Sequence, residues 1–561
     1  MKQLIVLIGL ILSSLVTAAP EDRTGFDFES LAGIAIQHRG RIKPLDTFAA
    51  ESLQFVTGKR EWQGKGAVEC IMGWVFNFDK EWENEEMIRV AYKPLKAQMG
   101  LDNNKTFFSF KELQDNQGLR ELLKEAGNKS RNRERLSELE KKGVTVQNQL
   151  ELIGEIFTGQ GLTILPNPEG GTSSWFPITA LDIQGGLPFA SDVTERFVEA
   201  LKKLMEAFLT KNAKTWKESV SEVSGMLAEG LARGTYPQKK ILQREIHYNH
   251  LRPFRIAWIV YVSSFISLLI YLVGRKKIFE KIGIAAVVGG LLVHSYGFGL
   301  RCLIAGRPPV TNMYESVIWV TWGCIFFAML VWMAYKNSVI PAAATVFAIV
   351  GLVLADNIPL VLDPSINPLE PVLRSNYWLT IHVLTITLSY AAFALSLCLG
   401  NVVMGYYVFR PTHTVHIQNY SLYMYRAMQI GVILLAAGTI LGGVWADYSW
   451  GRFWGWDPKE VWALIALLFY LAVLHGRFTG WLKGFGFAAT TVVSFLGVLM
   501  AWYGVNFVLG VGLHSYGFGS GGMGWVTGYV ALQVAFIIIG YLNYKKAKAK
   551  HNLDASIFPK A

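Results

Sequence analysis

The chain has 561 residues, 52% of them hydrophobic and only 17% charged, with a mean hydropathy of +0.30. That combination excludes one ordinary soluble domain and makes a membrane protein the default. Lys and Arg outnumber Asp and Glu 53 to 42, but many of the basic residues lie at the ends of apolar runs, which is a topology signal directed at lipid and not at nucleic acid.

Met1-Lys2-Gln3 leads into an apolar run from Leu4 to Val16 and then into Thr17-Ala18-Ala19-Pro20. This basic, apolar, small-residue order predicts a signal peptide over 1–19, with an uncleaved anchor helix as the alternative. Residues 20–250 are rich in charge, punctuated by Gly and Pro, and hold no apolar run long enough to cross a bilayer, so they are expected to form an extracytoplasmic soluble domain, α+β or mostly α. Within it Val193, Phe197, Leu201, Leu204 and Phe208 fall at helical spacing, as do Trp216, Val220, Val223, Leu227 and Leu231, which predicts two amphipathic helices.

Residues 251–561 read as an all-α polytopic bundle. Nine apolar segments lie near 256–273, 279–302, 315–334, 338–355, 377–408, 427–446, 459–475, 484–507 and 523–543, each able to span at about 20 residues per crossing. With the first segment entering from outside, Arg275-Lys276-Lys277, Arg477 with Lys483, and the tail Lys545 to Lys550 all fall inside, as the positive-inside rule asks. The loops Arg301–Thr311, Asp356–Asn376, Asp447–Pro458 and Gly510–Gly522 then lie outside.

The third of these carries the strongest local signal. Trp445, Trp450, Trp454, Trp456 and Trp462 place five tryptophans within eighteen residues. An aromatic belt at the membrane interface is the plainest reading, but a belt does not require Asp457-Pro458-Lys459-Glu460, where Pro suits a first helical turn and the acids suit the positive end of the helix dipole. Such a loop presents flat indoles, which suit a flat, largely apolar ligand, and imidazole is a common axial ligand of porphyrin iron. His382, about six residues into the fifth segment, and His514, in the fourth outer loop, both lie on this side. A lone intramembrane histidine is more often packed or hydrogen-bonded than a ligand; two beside the tryptophans favour ligation. Cys70, Cys302, Cys324 and Cys398 form no CxxC and no CxxCH, so heme bound here is held non-covalently. His475 ends the seventh segment, about 25 Å below Pro458 at 1.5 Å per residue, and cannot share an iron with the other two.

The string Trp454-Gly-Trp456-Asp457-Pro458-Lys459-Glu460-Val-Trp462 resembles the WWD motif of the CcsA/ResC family, the membrane heme-handling subunit of System II cytochrome c synthases. Pro309 to Ser316, Tyr377-Trp378 with His382 and Ser389-Tyr390, His475-Gly-Arg477, and Gly512-Leu-His514-Ser-Tyr516 resemble further family blocks in the family's order, so that the likeness covers about 285–545. The resemblance implies heme b, with His382 and His514 as ligands of an external heme, His475 as a ligand of a membrane heme, and Trp450, Trp454, Trp456, Asp457 and Trp462 as the surrounding wall. It also implies a multi-pass protein of a bacterial inner membrane, a CcsB/ResB-like membrane partner, and apocytochrome c as the recipient at CxxCH, the chain being a component of a holocytochrome c synthase. A heme exporter and a b-type cytochrome subunit are the alternatives.

No CcsB/ResB-like segment is recognisable at the amino end. His294 is a candidate for the missing inner ligand because His294-Ser-Tyr-Gly-Phe-Gly recurs at His514, yet it stands about 21 Å above the inner face, so a partner chain is the simpler source. His38, His247, His250, His413, His416 and His551 suit surface or structural roles. Arg374, Arg452 and Lys459 are either partners for heme propionates or interface anchors.

Overall fold

A computed structural model describes residues 26–551 except 78–79, 133, 172, 183–186, 232–233, 360, 370–374 and 511–520. The expected signal peptide and His514 lie outside the described residues. The chain divides into two compact units, one ending at His250 and the other beginning at Leu251.

The first unit is mostly helical. Its strands form two antiparallel pairs, β1 (Ala35–His38) with β2 (Arg41–Pro44) and β3 (Ile88–Arg89) with β4 (Phe107–Phe108). Arg39 and Gly40, both at positive φ, make the two-residue turn of the first hairpin, a backbone that matches the twist of its strands. Around the hairpins pack α1 (Leu45–Thr57), α2 (Glu138–Phe157), α3 (Ser191–Leu209) and α4 (Ala213–Gly225). Helix α2 begins with a reciprocal Ser137–Glu140 capping box, which satisfies two otherwise orphaned N–H groups. The periodic residues of α3 and α4 supply the core, with Phe197 and Trp216 fully buried. Polar contacts hold α5 (Lys239–Leu251) to the hairpin and α1: Arg41 pairs with Glu245 at 2.7 Å, and Asn249 donates to Asp46 at 2.8 Å.

Among the described residues nine helices are long and apolar enough to cross a membrane, all of them after residue 238. The second unit contains α6 (Pro253–Gly274), α7 (Lys277–Ala305), α8 (Met313–Tyr335), α9 (Val339–Asn357), α10 (Leu384–Phe409), α11 (Thr414–Trp450), α12 (Pro458–Phe478), α13 (Gly484–Leu499) and α14 (Met523–His551). Wide π-helical turns precede α10 at Leu379–Val383 and follow α13 at Met500–Leu509. The span containing α10 is the most enclosed, with 67% of its most apolar stretch buried, against 6% for α14. Helix α11 lies close against α10 because a Cβ at Gly438 would stand 2.9 Å from Ile386 Cα, and one at Gly431 2.5 Å from the Phe393 ring. Small residues at a helix crossing permit this approach.

Helix α11 departs from the expected segment 427–446. It runs from Thr414 to Trp450, about 55 Å at 1.5 Å per residue, longer than the roughly 30 Å hydrocarbon core. Hydropathy registers only the lipid-facing part, whereas Tyr420, Tyr423 and Met424 bury the polar first turns against protein. The tryptophan-bearing connection is correspondingly shorter than Asp447–Pro458: it spans only Gly451–Asp457.

Candidate functional site

The connection between α11 and α12 is built from both ends. Helix α11 stops at Gly451, whose φ of 68° provides a left-handed cap with its N–H on the Asp447 carbonyl. Helix α12 starts at Asp457-Pro458, as the sequence predicts. The Asp457 side chain accepts from the Lys459 N–H at 3.0 Å, and Glu460 Oε2 accepts from the N–H groups of Asp457 at 3.1 Å and Gly455 at 2.8 Å. Arg452 lies 3.5 Å from the other Glu460 oxygen and 5.6 Å from the Trp450 ring centre. Trp456 takes a left-handed φ of 58°, strain that the cap on either side of it sustains. Each of these contacts shapes the loop itself.

Behind the loop opens a partly enclosed cavity of about 140 Å³. His382 enters it from the π-helical turn Leu379–Val383, a local widening that often marks functional positions. Its Nδ1 lies 2.8 Å from the Gly438 carbonyl. A carbonyl only accepts, so Nδ1 carries the proton and Nε2 is the basic nitrogen of the neutral ring. The ring rests on Gly442, where a Cβ would stand 2.6 Å from Cε1, and its edge meets Trp445, itself stacked on Trp378 at 6.3 Å. Phe453 folds back over Gly443, where a Cβ would meet its ring at 2.5 Å.

Further lining comes from α8 and its entry, the start of α12 and the π-helical end of α13. Trp502 donates from its indole to Ser316 at 2.8 Å, and Lys459 donates to Asn506 at 3.2 Å. Asn312 caps α8 by accepting from the Glu315 N–H at 2.8 Å. Glu315 is fully buried and paired with Arg301 at 2.9 Å and Arg307 at 3.4 Å. Those guanidinium groups in turn hold the carbonyls of Pro364 and Asn367 at 2.9 and 2.7 Å. This network fixes the entry to α8, whose residues Val310 to Met313 line the cavity.

Of the expected site residues, the structure brings His382 and Trp454 into one cavity. Trp450 ends α11, Trp456 is 73% exposed on the loop, Asp457 is buried as the cap of α12, and Trp462 lies on that helix without lining the cavity. His475 stands at the far end of the unbroken α12, exposed, its Nδ1 donating to the Leu471 carbonyl at 2.7 Å. His294 is fully buried, stacked on Phe298 and bonded to the Tyr261 hydroxyl at 3.3 Å, a packed position away from this cavity. The wall residue Trp445 belongs to the five-tryptophan cluster but not to the wall that the resemblance implies, and Trp502 is marked by no motif. The blocks Pro309 to Ser316 and Ser389-Tyr390 converge on the cavity through Val310 to Met313, Ser316 and Tyr390.

The donor set suits a porphyrin. Among the described residues no group of three or more His, Cys, Asp or Glu is placed to hold a metal ion. A porphyrin brings its own equatorial nitrogens and asks only for an axial donor and flat walls, and His382, Trp445, Phe453, Trp454 and Trp502, which line the cavity, are residues of those types.

Fold and cavity together define a multi-pass membrane protein with an aromatic, histidine-bearing pocket. A family model described as cytochrome C assembly protein matches residues 310–514. Cytochrome c biogenesis protein CcsA of Prochlorococcus marinus strain MIT 9215 is 34% identical over 272 residues, 43% of this chain and 86% of the relative. The CcsA of strain MED4 is 36% identical over 246 residues, 39% of this chain and 77% of the relative. Protein NrfI of Wolinella succinogenes is 27% identical over 499 residues, 85% of this chain. The chain belongs to the CcsA family of cytochrome c biogenesis proteins. The match spans about half of NrfI, 53% of its length.

Proposed function

We propose that this protein receives heme as its substrate in the cavity beside His382 and presents it, on the outer face of a bacterial inner membrane, to the CxxCH cysteines of apocytochromes c. The observation that carries the reading is the imidazole of His382, its Nδ1 proton committed to Gly438 and its ring facing an aromatic cavity. In that tautomer Nε2 carries the lone pair that a metal takes.

The residues then divide the work. His382 holds iron from one side, with His514 as the opposing ligand by motif resemblance. Trp445, Phe453, Trp454 and Trp502 cover the macrocycle and keep water from it. The capped loop Gly451–Asp457 holds Trp454 in place. In the product each cysteine thiol has added across a vinyl group, the sulfur bonding to one carbon and the proton going to its neighbour, with no net oxidation. Bis-histidine ligation blocks oxygen from the iron, so release to the apocytochrome requires its own CxxCH histidine to displace one ligand.

Positive-inside loops and the apolar segment order support an outward-facing cavity and first unit. A CcsB/ResB-like membrane partner fits His475, whose Nδ1 bond to Leu471 gives it the same ligating tautomer as His382 near the inner face. That likeness favours passage of heme across the bilayer within the same assembly. The test is maturation of a reporter cytochrome c in cells lacking the endogenous pathway. His382→Ala is expected to abolish holocytochrome formation while the protein still accumulates in the membrane. Wild-type maturation by that variant would overturn the reading.

A further inference from the structure

We propose that the Phe453 side chain is the gate of the cavity, leaving its place on α11 to admit a tetrapyrrole and then closing over the ring, an assignment that rests on the heme reading of the cavity. The space available calls for such a movement. The cavity measures about 140 Å³, whereas pockets for drug-sized ligands begin at roughly 300 Å³, and a tetrapyrrole is larger than most such ligands. A lining side chain therefore has to move before the ring can seat beside His382.

Several of the lining side chains are tied down. His382 is bonded to the Gly438 carbonyl at 2.8 Å, Trp502 to Ser316 at 2.8 Å and Lys459 to Asn506 at 3.2 Å, while Trp445 stacks on Trp378. Phe453 also lines the cavity, but its ring makes no hydrogen bond and is 49% exposed. It sits in a notch that glycine leaves on α11: a Cβ at Gly443 would meet its Cζ at 2.5 Å and both Cε atoms at 2.7 Å. The adjacent Gly442 carries the His382 ring in the same way. The phenyl group thus occupies the station next to the imidazole, where a ring bound by His382 needs room.

The loop lets this side chain turn without coming apart. Its backbone is fixed before Phe453 by the left-handed cap at Gly451, and after it by the bonds from the N–H groups of Gly455 and Asp457 to Glu460. A change of rotamer carries the ring out of the notch while those bonds stay made. Partly exposed side chains make such changes far faster than loops or helices rearrange.

The experiment follows the Soret shift of iron(III) protoporphyrin IX by stopped flow as it binds the full-length protein in nanodiscs, with protein-free nanodiscs as the blank. A gate that both blocks entry and covers the bound ring slows arrival as well as departure. Phe453→Ala is therefore expected to raise the entry and release rates together, each by about tenfold, the scale of unpacking one aromatic side chain. Gly443→Ala fills the notch but keeps the cover, and the three atoms nearest its new methyl group all belong to Phe453. It is expected to raise the entry rate and leave release near the wild-type value. An unchanged entry rate in Phe453→Ala overturns the proposal, whether or not release quickens, since a fixed wall changes release alone. Slower entry in Gly443→Ala overturns it too. His382→Gly, measured in parallel, separates the two readings: if its Soret shift and rates match the wild type, the heme reading fails and the gate fails with it. If His382 matters and Phe453 leaves entry unchanged, only the gate fails.

Discussion

Gly442 sets the position of the His382 imidazole. A methyl group there would stand 2.6 Å from Cε1 and 3.1 Å from Nδ1, and the atom it meets is a ring held on the Gly438 carbonyl, not the end of a flexible chain. Gly442→Ala is therefore expected to push the imidazole off its bond while leaving α11 intact, because alanine is the better helix former. Absorbance of heme co-purified with the variant checks this: a reduced Soret band with unchanged helicity is expected, and wild-type heme content would show that the ring position is unimportant. His382 and Trp454 were legible in the sequence because they sit in short motifs. Trp502 was not, since its indole bond to Ser316 joins α8 to the end of α13, a pairing across helices that local pattern does not encode. The reverse holds for Trp456, conspicuous in the sequence yet largely exposed.

The elements show the same division. Apolar length located the nine spans to within a few residues in most cases, because the bilayer imposes it. It missed the first turns of α11, which pack on protein rather than lipid, and the π-helical turns at 379–383 and 500–509, which arise from packing and aim His382 and Trp502 at the cavity. The α7–α8 junction shows what tertiary context adds: Glu315 stood within a motif, but its partners Arg301 and Arg307 and the carbonyls they hold are visible only in the fold. Removing one member of a buried charge network leaves the others uncompensated, typically at about 3–5 kcal/mol. Glu315→Ala is expected to cut the yield of monodisperse protein sharply, and Glu315→Gln less so, because the amide oxygen still accepts from Arg301. Equal, near-wild-type yields by size-exclusion chromatography would mean that the network does not brace the site.

At the scale of the molecule, the division after His250 predicts that residues 26–250 fold without the membrane unit. Within that unit burial, then Lys43 and Arg39, lower the His38 pKa from its ordinary 6.5 to about 3. The unfolded chain thus takes up a proton at this residue where the folded unit does not. The stability contributed is complete above pH 6.5 and is lost progressively as pH falls towards 3. Thermal melts of the fragment by circular dichroism should show this acid slope, and His38→Gln should flatten it; an unfolded fragment, or identical slopes, would contradict the account. The central claim remains that His382 is an axial ligand to heme, and imidazole rescue of His382→Gly tests it most directly. Removing the side chain opens space beside the ring while the aromatic walls remain. The account predicts that the low-spin heme spectrum is lost in the variant and returns, with some cytochrome maturation, when imidazole is added. An unchanged spectrum in the variant, or a loss that imidazole does not restore while the protein stays folded, would contradict it.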